Sequence, residues 1–103
     1  MDRITRSREA GAKLPKNTLS VTRGTHFGNY IGKNEPTRRK QVEAFQNWIW
    51  KYEQMGLRSE FIDRCEHEGI EHIACWCKKD EMCHGDVWLD IWNNRIQFAD
   101  PYG

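Results

Sequence analysis

The sequence contains no apolar run that approaches the ~20 residues needed for a membrane-spanning helix. Its first residues, MDRITRSREAG, are charged and lack the apolar segment of a secretory signal peptide. These absences predict a cytoplasmic protein with no membrane partner. The four cysteines are then expected to be reduced. Metal binding, catalysis or plain burial are therefore better expectations for them than disulfides.

The chain also has little net charge, because 16 Lys and Arg stand against 15 Asp and Glu. This near balance hides an asymmetry. Residues 1–40 hold ten Lys and Arg against three Asp and Glu, whereas residues 41–103 hold six against twelve. A basic first part favours an anionic partner such as a phosphate, a nucleotide or a nucleic acid. A solvated basic surface that pairs with the acidic remainder is the equally weighted alternative.

Internal repeats and low-complexity segments are absent as well, so the 103 residues predict a single domain over residues 1–103. Five Trp, four Phe and three Tyr supply bulky material for a modest core. Residues 1–17 are polar and basic and include Gly11 and Pro15, so they read as an extended arm or loop rather than as a helix.

Hydrophobic periodicity predicts a strand within residues 17–24, and a loop rich in Gly and Asn follows over residues 24–36. A helix is expected from Thr37, with one buried stripe, and it should end at Gly56. A second helix is expected from Ser59 to Gly69, a buried strand at 70–77, a helix from Cys83 or His84 to Asn93, and a third strand at 95–100. The stripe of the first helix consists of Val42, Phe45, Ile49 and Tyr52.

The predicted order β-α-α-β-α-β indicates a small α/β fold of two or three layers with a short, mainly parallel sheet. Ligands of open α/β sheets bind outside the carboxyl ends of the strands. One predicted strand ends in Arg23-Gly24-Thr25 and the other in Cys75-Trp76-Cys77. If these strands are parallel neighbours, the two loops leave the sheet at the same edge and face one another.

The segments RITRSREAGAKLP, VTRGTHFGN, IGKNEPTRRKQVEAFQNWI, ACWC and CHGDV together resemble a phage and bacterial family catalogued as domain of unknown function 4326. The resemblance covers nearly the whole chain, with two departures. Tyr30 stands where the family usually has proline, and the segment KKDEM between Cys77 and Cys83, here called the excursion, is one residue longer than usual. It implies that residues 1–17 belong to the domain and that the site is the Cys/His and Arg/Gly/Asn pair of segments. It also points to a phage-encoded protein, and a phage-encoded protein of this kind is expected in the host-cell cytoplasm. The family brings no settled activity.

Three kinds of chemistry fit the Arg/Gly/Asn segment and the Cys/His segment. The first is a metal site, because alternate strand residues share a face and three thiolates with one imidazole form an acceptable structural zinc set. An iron–sulfur centre is the lesser variant. The sequence does not require a cofactor. If a cofactor is bound, these side chains would suit zinc. The ligands would be Cys75, Cys77, Cys83 and His84.

The second is a reactive thiol at the start of the last helix, where unsatisfied N–H groups stabilise a thiolate. Cys83 would be the nucleophile, with His84 and Asp86 as the neighbouring base and its partner. Plain burial is the alternative for the cysteines, since buried Cys is a common core residue.

The third is anion binding, because a helix N-terminus and arginine forks both attract phosphate or carboxylate. Arg38 supports this hypothesis, since a cation in the first turn of a helix opposes the helix dipole unless a partner lies there. The ligand-binding residues would be Arg23, Gly24, Thr25, Gly28, Asn29, Arg38, Cys77 and Gly85.

The leading hypothesis is therefore a protein that binds an anionic, nucleotide-like small molecule, with thiol or imidazole chemistry left open. The first alternative is a phage interaction protein that contacts a host protein or nucleic acid through its basic N-terminal third. The second is a structural zinc-binding module.

Overall fold

The structure, a computed structural model, describes residues 1–7, 11 and 13–95. Its sheet has three parallel strands, β1 (Asp2–Thr5), β2 (Thr18–Ser20) and β3 (His72–Cys75), in the order β1-β3-β2. The central strand β3 is buried on both faces, since Ile73 and Ala74 are both 0% exposed. The predicted α/β fold with a short parallel sheet is confirmed.

Strand β1 lies in the segment predicted as an extended arm. Arg3 pairs with Ile73 across β1 and β3, and Leu19 of β2 pairs with the same residue from the other side. The arm prediction missed this strand because its four residues are too few to show an alternating pattern. Residues 96–100 of the predicted C-terminal strand lie outside the described residues.

Helix α1 (Arg38–Ile49) begins as predicted, because the side chain of its N-cap Thr37 accepts a hydrogen bond from the Lys40 N–H at 3.2 Å. The predicted continuation to Gly56 is wrong. Arg58 donates to the carbonyls of Ile49 (2.5 Å) and Lys51 (2.8 Å), and so satisfies carbonyl groups at the end of α1.

A short 3₁₀ helix, Tyr52–Gln54, follows α1, and Tyr52 is 79% exposed instead of completing the buried stripe. Helix α2 (Met55–Glu68) starts earlier than the predicted cap at Ser59. Gly56 lies in the first turn of α2. The backbone N–H groups of a first turn have no partner within the helix, so a glycine at this position does not end the helix. The helix ends as predicted at Gly69, in the left-handed conformation with φ of +63°.

Helix α3 (His84–Asn93) has Cys83 as its N-cap and packs against β1 and β3. Helices α1 and α2 pack against α3 and against each other. Trp88 of α3 is 0% exposed and stacks on Phe61 of α2 with 4.4 Å between ring centroids. No helix in the described ranges has both the length and the apolar character needed to span a membrane.

Candidate functional site

The carboxyl ends of the parallel neighbours β2 and β3 open onto a cavity of about 280 Å³. One wall comes from the loop after β2 and from α1, and the other from the segment between β3 and α3. The predicted meeting of the two segments is thereby confirmed. The lining residues are Thr22, Arg23, Asn29, Arg38, Gln41, Val42, Cys75, Trp76, Cys77, Met82, Cys83 and His84.

Not every residue predicted for the site lines this cavity. Thr25 turns inward within its own loop, where its hydroxyl donates to the Thr22 carbonyl at 2.7 Å. The residues that lie beside the cavity without lining it are Gly24, Thr25, Gly28, Gly85 and Asp86.

Gly28 shapes the loop that carries Arg23. A Cβ atom at this position would lie 2.4 Å from the Thr22 carbonyl oxygen and 2.6 Å from the Arg23 carbonyl oxygen. Both neighbours are backbone atoms, so a side chain at residue 28 would fit only if the loop backbone moved. The tight turn exists because residue 28 has no side chain.

Replacing Gly28 by alanine is expected to lower the free energy of unfolding by about 1–3 kcal/mol, the usual cost of overpacking. Urea denaturation measures it. Gly24→Ala is the matched control, because a Cβ there meets no atom within 4 Å. That change should be neutral or stabilise by about 0.4–1 kcal/mol. Equal losses in the two variants would contradict the close approach at Gly28.

Arg3 is the residue of this site that sequence reasoning missed. Its side chain is only 7% exposed, and its Nε donates to Asp86 Oδ1 at 2.9 Å. Its other nitrogens donate to the carbonyls of Lys78 (3.2 Å), Lys79 (2.9 Å) and Glu81 (2.9 Å). One guanidinium therefore fixes the whole excursion between β3 and α3.

The position of the Arg3 side chain explains why residue 85 is glycine and residue 86 is aspartate. The sequence had assigned Gly85 to ligand binding and Asp86 to catalysis. A Cβ at Gly85 would lie 3.0 Å from Arg3 Cδ, so the absence of a side chain there makes room for the arginine stem. The Asp86 carboxylate is the charge partner of Arg3. Within the described residues, no hydrogen bond joins Asp86 to His84, so the geometry gives Asp86 a positioning role.

The sulfur atoms of Cys75 and Cys83 lie 3.2 Å apart. A hydrogen bond from the Cys83 S–H, helped by a second from Arg3, lowers the pKa of Cys75. The same interaction, together with burial, raises the pKa of Cys83. Of this pair, Cys75 is the thiol whose ionisation these contacts favour, while Cys83 as the nucleophile stays a prediction.

His84 is half-buried, and its partial desolvation lowers its pKa, so the imidazole stays neutral near pH 7. Its Nε2 lies 2.5 Å from the Val21 carbonyl oxygen. A carbonyl only accepts, so Nε2 carries the proton and Nδ1 keeps a lone pair. Nδ1 lies 3.8 Å from the Cys83 sulfur. The ring thus ties the start of α3 to the end of β2.

Two arginines bring positive charge to the cavity. Arg38 donates to the Cys77 sulfur at 2.9 Å and lies 3.5 Å from the Glu81 carboxylate. Arg23 projects from the opposite loop, and among the described residues no hydrogen-bond or ion-pair partner is found for its guanidinium. Asn29, by contrast, is already committed, because its amide donates to the Gln41 carbonyl and accepts from the Gly32 N–H.

Comparison with known proteins finds one family model and one phage relative that match most of the chain. The model of the domain of unknown function DUF4326 matches residues 4–94. An uncharacterized 12.4 kDa protein from the nrdA-td intergenic region of Enterobacteria phage T4 is 28% identical over 81 residues, which cover 77% of this chain and 70% of the phage protein. No solved structure matches the chain. With nine-tenths of its length matched, the chain belongs to the DUF4326 family.

Proposed function

We propose that this protein binds a small anionic ligand of the nucleotide type in the cavity at the carboxyl edge of the sheet. The observation that carries the proposal is the Arg23 guanidinium, which reaches this cavity with no partner among the described residues, opposite Arg38. Two guanidiniums on facing walls match the geometry by which proteins hold phosphate or carboxylate.

The remaining lining suits an aromatic ring on the ligand. Trp76 and Met82 are 43% and 45% exposed, and Val42 adds apolar surface on the α1 side. Ligand sites combine such apolar walls with a few polar groups, and the volume of about 280 Å³ lies at the small end of their range. A mononucleotide or a phosphorylated sugar fits this description better than a long polymer.

An interaction with nucleic acid or a host protein through the basic N-terminal third is the alternative. Much of that positive charge is used internally. Arg3 binds Asp86, and Arg6 donates to Ser20 and lies 4.8 Å from the Trp76 ring centroid. The cavity therefore supports a small ligand more directly than the surface charge supports a polymer.

The test is a thermal-shift panel of mononucleotides and sugar phosphates, followed by calorimetry on any ligand that stabilises the protein. Loss of a charged hydrogen bond costs about 1.5–3 kcal/mol, so Arg23→Ala should weaken binding by about 10- to 100-fold without lowering basal stability. Arg38→Ala should weaken it as well.

Arg39→Ala is the matched control. It removes the same charge one residue along α1, but Arg39 is exposed, pairs with Glu43 and does not line the cavity. Equal losses in the Arg23 and Arg39 variants, or no stabilisation of the wild type by any compound, would overturn the proposal. Binding of a single-stranded oligonucleotide that falls steeply with salt would favour the polymer alternative.

A further inference from the structure

The three cysteines Cys75, Cys77 and Cys83, here called the thiol cluster, lie at the floor of the cavity. Their sulfur atoms all lie within 4.8 Å of one another, and the sulfurs of Cys75 and Cys83 are 3.2 Å apart. Tetrahedral zinc with Zn–S bonds of ~2.3 Å requires sulfur atoms about 3.8 Å apart. Shifts of under about 1 Å would therefore place all three sulfurs on one ion.

Each sulfur of the thiol cluster also accepts an N–H donor from the protein. Arg3 donates to Cys75 at 3.6 Å, Arg38 donates to Cys77 at 2.9 Å, and the Gly85 backbone N–H donates to Cys83 at 3.4 Å. Hydrogen bonds of this kind stabilise thiolates, and outer donors that orient the ligands are a regular feature of protein metal sites. A merely buried cysteine needs no such donor.

Charge in the surroundings fits a metal–thiolate group. Three thiolates and one divalent ion leave a single negative charge. The guanidiniums of Arg3 and Arg38 contact the sulfurs, while Asp86 and Glu81 partly offset them. The loaded site therefore keeps that single negative charge, so the arginines would lie beside a metal–thiolate group that is negative as a whole and not beside a bare cation.

We propose that the thiol cluster binds one zinc ion through Cys75, Cys77 and Cys83, with the fourth coordination position open to the cavity. Thiolate sets select zinc among the common divalent ions. His84 lies outside the cluster, because it has no ring nitrogen within 4.8 Å of all three sulfur atoms. Three protein ligands and an exchangeable fourth position are the arrangement of catalytic zinc sites, whereas structural sites are closed by four.

The test uses reduced protein and Co²⁺, which reports thiolate ligands by a sulfur-to-cobalt charge-transfer absorption. Wild-type protein should bind one Co²⁺ per chain, and Zn²⁺ should displace it. Azide, a small anion that enters open positions, should then change the visible cobalt spectrum. Cys77→Ser should weaken cobalt binding by more than about 100-fold, beyond the roughly 10- to 100-fold that the loss of an outer contact usually costs.

Cys65→Ala is the matched control, because Cys65 is buried in α2 outside the thiol cluster, and it should keep full cobalt uptake. No uptake by reduced wild-type protein would overturn the proposal whatever the variants do. A spectrum insensitive to azide would overturn the open position. A purified protein with a Cys75–Cys83 disulfide that binds no metal after reduction would assign the cluster to redox chemistry. Arg23→Ala leaves all three sulfurs in place, so failure of anion binding and failure of metal binding are separable.

Discussion

Replacing Arg3 by alanine is expected to lower the free energy of unfolding by about 2–4 kcal/mol, because hydrogen bonds to charged groups contribute about 1.5–3 kcal/mol. The side chain is nearly buried and reaches Asp86 and three carbonyls of the excursion at residues 78–81. Part of the loss is recovered by water, since the Asp86 side chain is 50% exposed. Urea unfolding followed by tryptophan fluorescence measures the change.

Arg3→Lys separates charge from geometry. A lysine keeps the positive charge but cannot direct the planar fork of donors at Asp86, Lys78, Lys79 and Glu81 together. It should therefore recover less than half of the loss. Arg64→Ala is the control on the surface, where its pair with Glu68 is worth under about 0.5 kcal/mol. A lysine variant as stable as the wild type would show that charge alone holds the excursion.

Replacing Trp88 by alanine is expected to cost about 3–5 kcal/mol, the usual range for removing a fully buried aromatic. Its ring lies in the middle of an aromatic group, with centroids 5.3 Å from Phe27, 5.6 Å from Phe45 and 4.4 Å from Phe61. The cavity left behind is bounded by three helices and a loop, which cannot all close on it.

Trp88→Phe tests how the core supports the site. The indole N–H donates to the Phe27 carbonyl at 2.9 Å, so it anchors the loop that presents Arg23 and Asn29. Phenylalanine fills most of the space but leaves that carbonyl unpaired, at an expected cost of about 1–3 kcal/mol. If the loop binds a ligand as proposed, affinity should fall as well. Trp92→Phe, on a half-buried ring of the same helix, is the control, and equal effects at both positions would contradict the anchoring role.

The two proposals describe neighbouring parts of one site. The anion would lie between Arg23 and Arg38, and the metal would lie below it on the sulfurs, with Arg38 in contact with both because it donates to Cys77. Neither proposal requires the other. A ligand donor on the open coordination position would join them, and a ligand affinity that rises on adding Zn²⁺ would be the sign of it.

Much of the fold could be predicted from local patterns. Thr37 as a cap, the stripe of Val42, Phe45 and Ile49, and Gly69 at the end of α2 follow from capping chemistry and helical spacing, which depend on neighbouring residues alone. The predictions at Gly56 and Tyr52 were wrong for one reason. The group that ends α1 is Arg58, which lies nine residues beyond Ile49 and shows no local signal.

Sequence by itself determined the class of the fold, the two segments that carry the unusual chemistry, and their place at the carboxyl edge, because parallel strands put their ends on one side. Only the tertiary structure decided the parts that depend on contacts across most of the chain. It made residues 2–5 an edge strand, and it placed the Arg3 guanidinium beside Asp86, 83 residues away. It also brought the sulfurs of Cys75 and Cys83 within 3.2 Å of each other and the Arg3 guanidinium within 3.6 Å of Cys75, which residue type and spacing do not reveal.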